Sequence, residues 1–340
     1  MKKIILFICV FSGIIYPVYG QTPFRVMFYN VENLFDTEKS SKKNDGDFTP
    51  DGKLHWTAGR YNNKLNNLAK VITAAGEWDS PAIVGLSEVE NERCMTDLTK
   101  HSLLKTQDYR YVITHCADRR GINVALMYQR DKFKYLSHKA YKIKFPENPH
   151  KVTRDILHVS GLIQMGDTLD VFVCHFPSRR GGEQESEPDR IFAASVLKSK
   201  TDSLMRIRKK ANIIIIGDFN DEPTNRSMAQ TLKAFPVEKE VIPANLYNLF
   251  YKFVKQNNIG TYKYGRQWNV LDQIVVSGNL LNRQHDFHVL PETATIFQRD
   301  FMMEKDSSNG GKKLFKTYSG QKHTGGFSDH LPVFVDFKLN

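Results

Sequence analysis

The sequence predicts one domain that mixes strands and helices, of the α/β or α+β class. Three observations carry this expectation. Short β-type apolar runs recur along the whole chain, helical periodicity is confined to two stretches between them, and several connections are too short for helical crossovers. A chain of 340 residues that is 41% hydrophobic and 25% charged has ordinary globular composition, which excludes wholesale disorder, collagen and coiled coil. No internal repeat, low-complexity tract or linker divides it.

Residues 1–20 read as an export signal. Lys2 and Lys3 precede an apolar block from Ile4 to Tyr16, and Val18-Tyr19-Gly20 leads to a cut before Gln21. The block is too short and interrupted for a membrane span, and nothing later approaches one. The expectation is a cleavable signal peptide, a periplasmic or extracellular protein, and one domain over 21–340. Losing Lys2 and Lys3 lowers the net charge from +11 to +9. That balance favours acidic partners such as nucleic acid, phosphate esters or anionic lipid, and says nothing about fold. No obligate protein partner is evident.

Strands are expected at Phe24 to Tyr29, Ala82 to Val89, Tyr109 to Thr114, Ile122 to Tyr128, Ile156 to Gln164 and Leu169 to Cys174. Asn212 to Gly217, Val270 to Val276 and Pro332 to Phe337 complete the set. Leu65, Leu68, Ala69, Ile72 and Ala75 repeat at helical spacing within Asn63 to Ala75. Ile191, Ala194, Val196, Leu197 and Leu204 do so within Asp189 to Ile207. Thr37 to Gly52, Ser178 to Pro188 and Asp300 to Gly326 read as loops, two of them long enough to point to function or mobility. Cys94, Cys116 and Cys174 follow the signal, an odd count; a Cys94–Cys116 bridge is possible, but the fold does not call for a disulfide framework, and Cys174 reads as a small core residue.

Polar clusters close several apolar strands, where a rigid scaffold presents reactive groups. They are Tyr29-Asn30-Val31-Glu32-Asn33, Leu86-Ser87-Glu88-Val89-Glu90, Gly217-Asp218-Phe219-Asn220 and Ser328-Asp329-His330, joined by His175 and Asp272. Singly, each has an ordinary structural account. An Asp or Asn after a strand forms turns and caps, and a lone His is commonly a hydrogen-bonded strut. Glu88 is harder to dismiss, because a carboxylate closing a buried strand needs a partner, and a hard cation is one. Together, two histidines with neighbouring carboxylates and amides suit metal-assisted attack of water on a phosphate ester.

The series FYNVENLFD, GLSEVEN, VFVCHFPS, IIIIGDFND, VLDQIVVS and GFSDHLPVF resembles the endonuclease/exonuclease/phosphatase superfamily, from about Phe24 to Phe337. That family includes deoxyribonucleases, abasic-site endonucleases, sphingomyelinases and inositol polyphosphate phosphatases. The resemblance implies a four-layer α/β sandwich, two mixed and mostly antiparallel sheets packed face to face with helices outside. It implies a hydrolase cleaving phosphate esters with Mg²⁺ or Mn²⁺. Asn30, Glu88 and Asp329 match the family's metal surroundings, and Glu32 holds a position often acidic there. His330 matches the catalytic histidine and Asp272 the aspartate that orients it. Asp218 and Asn220 match the pair that handles the water and the phosphate. His175 matches the second histidine of the deoxyribonuclease and sphingomyelinase branches. Arg154 falls where deoxyribonuclease-like members often place a phosphate-contacting arginine. Arg120, Ser178 and Arg179 are further expected substrate contacts, because a guanidinium fits phosphate oxygens bidentately.

Two motifs are set aside. Asp45, Asp47 and Asp51 imitate a calcium loop, but the twelfth position is Trp56 rather than Glu. Lys312, Lys313, Lys316 and Lys322 are a charge run of the kind usually found as solvated surface. Three functions then stand: a secreted nuclease on DNA or RNA, a phosphatase or phosphodiesterase on a lipid or inositol phosphate, and a binding protein on a retired enzyme fold. Export, charge and the second histidine favour the first, and the complete polar set argues against the last.

Overall fold

The run Ile213–Asp218 is apolar without alternation because both of its faces are covered. Ile214 and Ile216 enter one core cluster, Ile213 and Ile215 another. This strand is a centre from which the architecture follows. The computed structural model describes residues 23–339 apart from 42, 165, 238, 239, 255 and 257; the expected signal segment 1–20 lies outside the described residues.

In chain order the strands are β1 (Phe24–Leu34), β2 (Ile83–Val89), β3 (Tyr109–Ile113), β4 (Asn123–Gln129), β5 (Phe133–Tyr141), β6 (Ile156–Ile163), β7 (Thr168–His175) and β8 (Ile213–Asp218). Short strands β9 (Ala234–Phe235), β10 (Leu246–Asn248), β11 (Tyr262–Tyr264) and β12 (Gln267–Asn269) precede β13 (Asp272–Ser277) and β14 (Phe287–Ile296). Strands β15 (Met303–Lys305), β16 (Lys312–Leu314), β17 (Tyr318–Ser319) and β18 (Lys322–His323) lead to β19 (Val333–Leu339). The α-helices are α1 (Ala58–Gly76), α2 (Glu92–Thr96), α3 (Glu183–Ile207) and α4 (Tyr251–Val254).

Two large mixed sheets result, one ordered β14-β19-β1-β2-β4-β3 and the other β5-β6-β7-β8-β13-β10-β9. Most neighbours pair antiparallel; β1–β2, β7–β8 and β9–β10 are parallel. Phe28, Leu126, Val159, Val173, Ile216 and Val335 belong to the core cluster between the sheets. Helix α1 covers the outside of the first sheet with Leu65, Leu68 and Ile72, and α3 covers the second with Ala194 and Leu197. The four-layer sandwich is therefore the observed fold. Its sheets meet closely at Gly85 of β2. A Cβ there would lie 2.5 Å from Ile216 Cδ1 of β8, closer than real Cβ atoms approach, and a tight 3.2 Å from a Phe28 ring carbon.

Several expectations change in detail. Strands β5 and β14 were not foreseen. β5 is an edge strand whose residues after Phe133 are nearly all exposed, including Lys134 and Lys139, so it lacks an alternating apolar face. β14 contains Pro291, and its pairing to β19 shifts register between Leu290 and Thr295; a proline at a bulge conceals a strand. The expected loop Ser178 to Pro188 becomes helix from Glu183, with Pro188 inside α3. The loop Asp300 to Gly326 holds the hairpins β15–β16 and β17–β18. Cys94, Cys116 and Cys174 are all free and buried, so no Cys94–Cys116 bridge forms. Among the described residues no helix is long and apolar enough to cross a membrane.

Candidate active site

The sheet registers bring the polar strand ends together. His175, the last residue of β7, lies beside Asp218 at the end of β8, and Asp218 lies opposite Asp272 at the start of β13. From the first sheet come Asn30 in β1 and Glu88 in β2. The turn before β19 supplies Asp329 and His330. It is held by Ser328 Oγ donating to the Asn30 carbonyl at 2.7 Å and by the His330 amide donating to Ser328 Oγ at 3.1 Å.

These side chains face a cleft of about 700 Å³. Asn30, Glu88, Arg120, His175, Ser178, Arg179, Asp218, Asn220, Asp329 and His330 all line it. Asp272 stands behind His330, and its Oδ2 accepts from Nδ1 at 2.7 Å. That bond fixes the tautomer and leaves Nε2 for the cleft, 3.9 Å from Asp218 Oδ2. Asp218 Oδ2 also accepts from Asn30 Nδ2 at 3.0 Å and lies 3.6 Å from His175 Nε2. One carboxylate oxygen thus sits at the convergence of an amide and two imidazoles. The other, Oδ1, accepts from the Asn220 amide at 2.9 Å.

Backbone strain accompanies this convergence. Glu88, Asn220 and Glu32 have φ of 65°, 51° and 49°, in the left-handed region. Glu88 lies where the pairings of β2 shift register, near the Asn30–Leu34 shift of β1. Non-glycine residues in this conformation persist only where their surroundings hold them. Here Glu88 Oε2 accepts from the Asn33 amide at 2.9 Å, and Asn220 Nδ2 donates to the Phe176 carbonyl at 3.1 Å.

Burial and neighbouring charge set opposite tendencies in the two histidines. Burial would lower His330, but the carboxylates of Asp272 and Asp218 hold it well above the ordinary imidazole value. Burial, with the nearby Arg154 and Arg120 guanidiniums, pushes His175 well below that value. Burial, with Asp272 adding and His330 opposing, pushes Asp218 up to about 7. Burial and the Glu88 carboxylate raise Asp329, though His330 opposes. These surroundings favour charge on His330, neutrality on His175 and a raised carboxyl at Asp218.

Glu88 and Asp329 offer hard oxygen donors, as Mg²⁺ or Mn²⁺ requires, and no cysteine lines the cleft. The Glu88 carboxylate raises Asp329, and a cation between the two would relieve that repulsion. Asp218, Asp272 and His330 also bring donor atoms within 4.8 Å of one another, but the Asp272–His330 hydrogen bond engages the facing atoms of that pair. The Glu88 side is the better fit.

Arg154 is buried, away from the cleft lining, with its guanidinium donating to the Phe176 carbonyl and 3.6 Å from Asp118. Arg179 lines the cleft but is largely committed to its walls, donating from Nε to the Asn220 carbonyl at 2.7 Å and from a terminal nitrogen to Glu183 at 2.9 Å. Arg120 is exposed and 3.5 Å from Glu88. Lys312 and Lys313 pair with Asp300 and Glu304 at 2.7 and 3.3 Å, whereas Lys316 lies with Tyr262 and Asp329 at a small adjoining pocket. Glu32 is buried, accepts from the Thr317 amide at 2.7 Å and is 3.8 Å from the buried Lys64, which ties the loop before β19 to α1.

Sequence reasoning missed the hairpin β11–β12. Tyr262 bridges to His330, and their ring centroids are 4.9 Å apart; Tyr264, Gln267 and Asn269 also line the cleft. The signal was present in Tyr262-Lys263-Tyr264 followed by Gly265, a short alternating strand and turn directly before LDQIVVS.

A family model described as the endonuclease/exonuclease/phosphatase family matches residues 25–339. The chain belongs to this family. Its enzymes are phosphoesterases that depend on divalent metal. Among curated proteins none matches the chain. Solved structures share the fold. The human Nocturnin catalytic domain, with a bound sulfate, has a TM-score of 0.56 at 18% identity, covering 94% of this chain and 95% of that one. A mannosyl-6-phosphatase of Bacteroides thetaiotaomicron gives 0.56 at 19%, covering 92% and 99%. D. rerio TDP2 in complex with a single-strand DNA product gives 0.55 at 12%, covering 93% and 99%.

Proposed function

We propose that this member is an exported, metal-dependent hydrolase of phosphodiester bonds, acting on DNA or RNA. The observation that carries the hydrolytic reading is the convergence of Asn30 Nδ2, His175 Nε2 and His330 Nε2 on Asp218 Oδ2. An oxygen so placed can take a proton from an attacking water, and its value near 7 suits that exchange at neutral pH. His330, held as imidazolium by Asp272, presents Nε2–H to a phosphoryl oxygen where negative charge develops. Neutral His175 offers a second donor without adding charge. Asn30, Glu88 and Asp329 would hold the Mg²⁺ or Mn²⁺, which supplies charge neutralisation on the phosphate.

Nucleic acid is favoured by the basic balance, +11 over the whole chain and +9 without Lys2 and Lys3, by the second histidine, and by aromatic rings on the cleft wall. TDP2 was captured with a DNA product, whereas the mannosyl-6-phosphatase keeps a sugar phosphate as the competing substrate. Purified protein lacking residues 1–20 should be given plasmid DNA, RNA, sphingomyelin, inositol phosphates and hexose 6-phosphate, each with Mg²⁺ and with chelator. Metal-dependent cleavage of nucleic acid is the expected result. Turnover confined to a monoester or a lipid would replace this substrate assignment.

A further inference from the structure

The cleft extends beyond the groups that would handle one phosphate, and its two rims differ in chemistry. One rim is the hairpin β11–β12. Tyr264 is 76% exposed there, on a turn closed by Gly265 at φ 58°. Residues two apart share a face of a strand, about 7 Å from each other. Tyr264 is therefore the next ring outward from Tyr262, whose centroid is 4.9 Å from that of His330. A phenol ring held open to water beside a polar cleft offers a flat apolar face with nothing yet stacked on it.

The other rim is the turn from Ser178 into α3. Gly181 and Gly182 have φ of 90° and 129°, backbone conformations that a residue with a side chain adopts only under strain. The turn presents Arg180 to the cleft. Unlike Arg179, Arg180 is exposed and has no ion pair or hydrogen bond among the described residues. An unneutralised guanidinium on the wall of a phosphate site calls for a second anion.

We infer that the two rims form a subsite for a nucleotide unit attached to the scissile phosphate, with its base against Tyr264 and a neighbouring phosphate on Arg180. This rests on the phosphoesterase reading above and adds the determinants of substrate choice. A neutral hexose would leave Arg180 without a partner. The same chemistry occurs in a nucleic acid strand and in a soluble dinucleotide.

The test compares Tyr264→Ala, Tyr264→Phe, Arg180→Ala and Arg180→Lys on a short single-stranded oligonucleotide, a pyrophosphate-linked dinucleotide and diglycerol phosphate, a diester without a base, all with Mg²⁺. Trp78→Ala is the control. Trp78 is the other highly exposed aromatic, 99%, and precedes β2 at the end opposite Glu88. Loss of one base stack should raise KM for a nucleotide substrate roughly tenfold or more, with kcat changed far less and Tyr264→Phe close to wild type. Arg180→Ala should raise KM and lower the logarithmic salt slope by about one, with Arg180→Lys recovering most of both. An effect limited to the oligonucleotide identifies a strand as the ligand, and an effect of equal size on the dinucleotide identifies a soluble nucleotide. If Tyr264→Ala and Arg180→Ala keep the KM ratio of nucleotide to diglycerol phosphate seen with Trp78→Ala, the subsite is refuted while the hydrolase stands. If wild-type protein hydrolyses no ester at all, the proposed function fails and this inference with it.

Discussion

Asp218 and Asp272 stand directly opposite each other across the β8–β13 pair, yet only Asp218 opens to the cleft. The sheet thus splits two identical side chains between two tasks. One faces the cleft, and the other is sealed against His330 Nδ1 at 2.7 Å.

Asp272→Asn should separate these tasks. The amide cannot sustain the charge that holds His330 above the ordinary imidazole value, so the His330 titration followed by NMR should move down toward about 6.5. Turnover at neutral pH should fall on the order of a hundredfold to ten-thousandfold. An unmoved titration would reject Asp272 as the orienting partner.

Metal dependence is a separate expectation. Chelation should abolish ester hydrolysis, and Mg²⁺ or Mn²⁺ should restore it. Glu88→Gln should weaken Mg²⁺ binding measured by calorimetry, because it removes a charged oxygen donor from the Glu88–Asp329 side. Full activity in excess chelator would reject the metal assignment.

Arg154 and Arg120 should part company under substitution. Arg154→Met leaves Asp118 without its buried partner and the Phe176 carbonyl without its donor. Breaking such a pair costs about 3–5 kcal/mol, which thermal unfolding would register. Arg120→Met, at an exposed cleft position, should raise KM with little change in melting temperature. The reverse pattern would put Arg154 in contact with substrate.

A pH effect on stability is expected far from the cleft. Asp170 is buried beside His158 at 2.9 Å and Arg208 at 3.0 Å, and Ser160 also donates to it. Burial alone would raise its carboxyl, but the bonds from His158, Arg208 and Ser160 hold it below the usual range. A carboxyl depressed in the folded state stabilises fully above its unfolded value of about 3.9 and loses that stabilisation as pH falls through the folded value. Asp170→Asn should therefore lower the urea midpoint strongly at pH 7 and much less near pH 2. Equal losses at both pH values would count against an ionic role.

The parts legible in the sequence were those with one dominant cause. The tetrad Ile213 to Ile216 announces a strand covered on both faces, and GDFN and SDH announce themselves by residue type and order. What stayed hidden depends on contacts between distant segments. Nothing in TRDILHVSGLI shows that Arg154 will turn toward Asp118 rather than toward solvent. The role of Arg179 needs the Asn220 carbonyl, 41 residues away in sequence. Exposure hid β5, and Pro291 hid β14. Tyr264 escaped notice because a three-residue strand has too little pattern to register.

Asn30 and Glu88 belong to one sheet, and His175, Asp218 and Asp272 to the other, so the chemistry spans a seam whose width is set by hydrocarbon. At Gly85 that seam has no slack, since Ile216 fills the space a methyl would take. A methyl at residue 85 would force Ile216 to shift at the seam between the halves of the site. Ile216 and Phe28 thereby act as spacers for a reaction that neither of them touches.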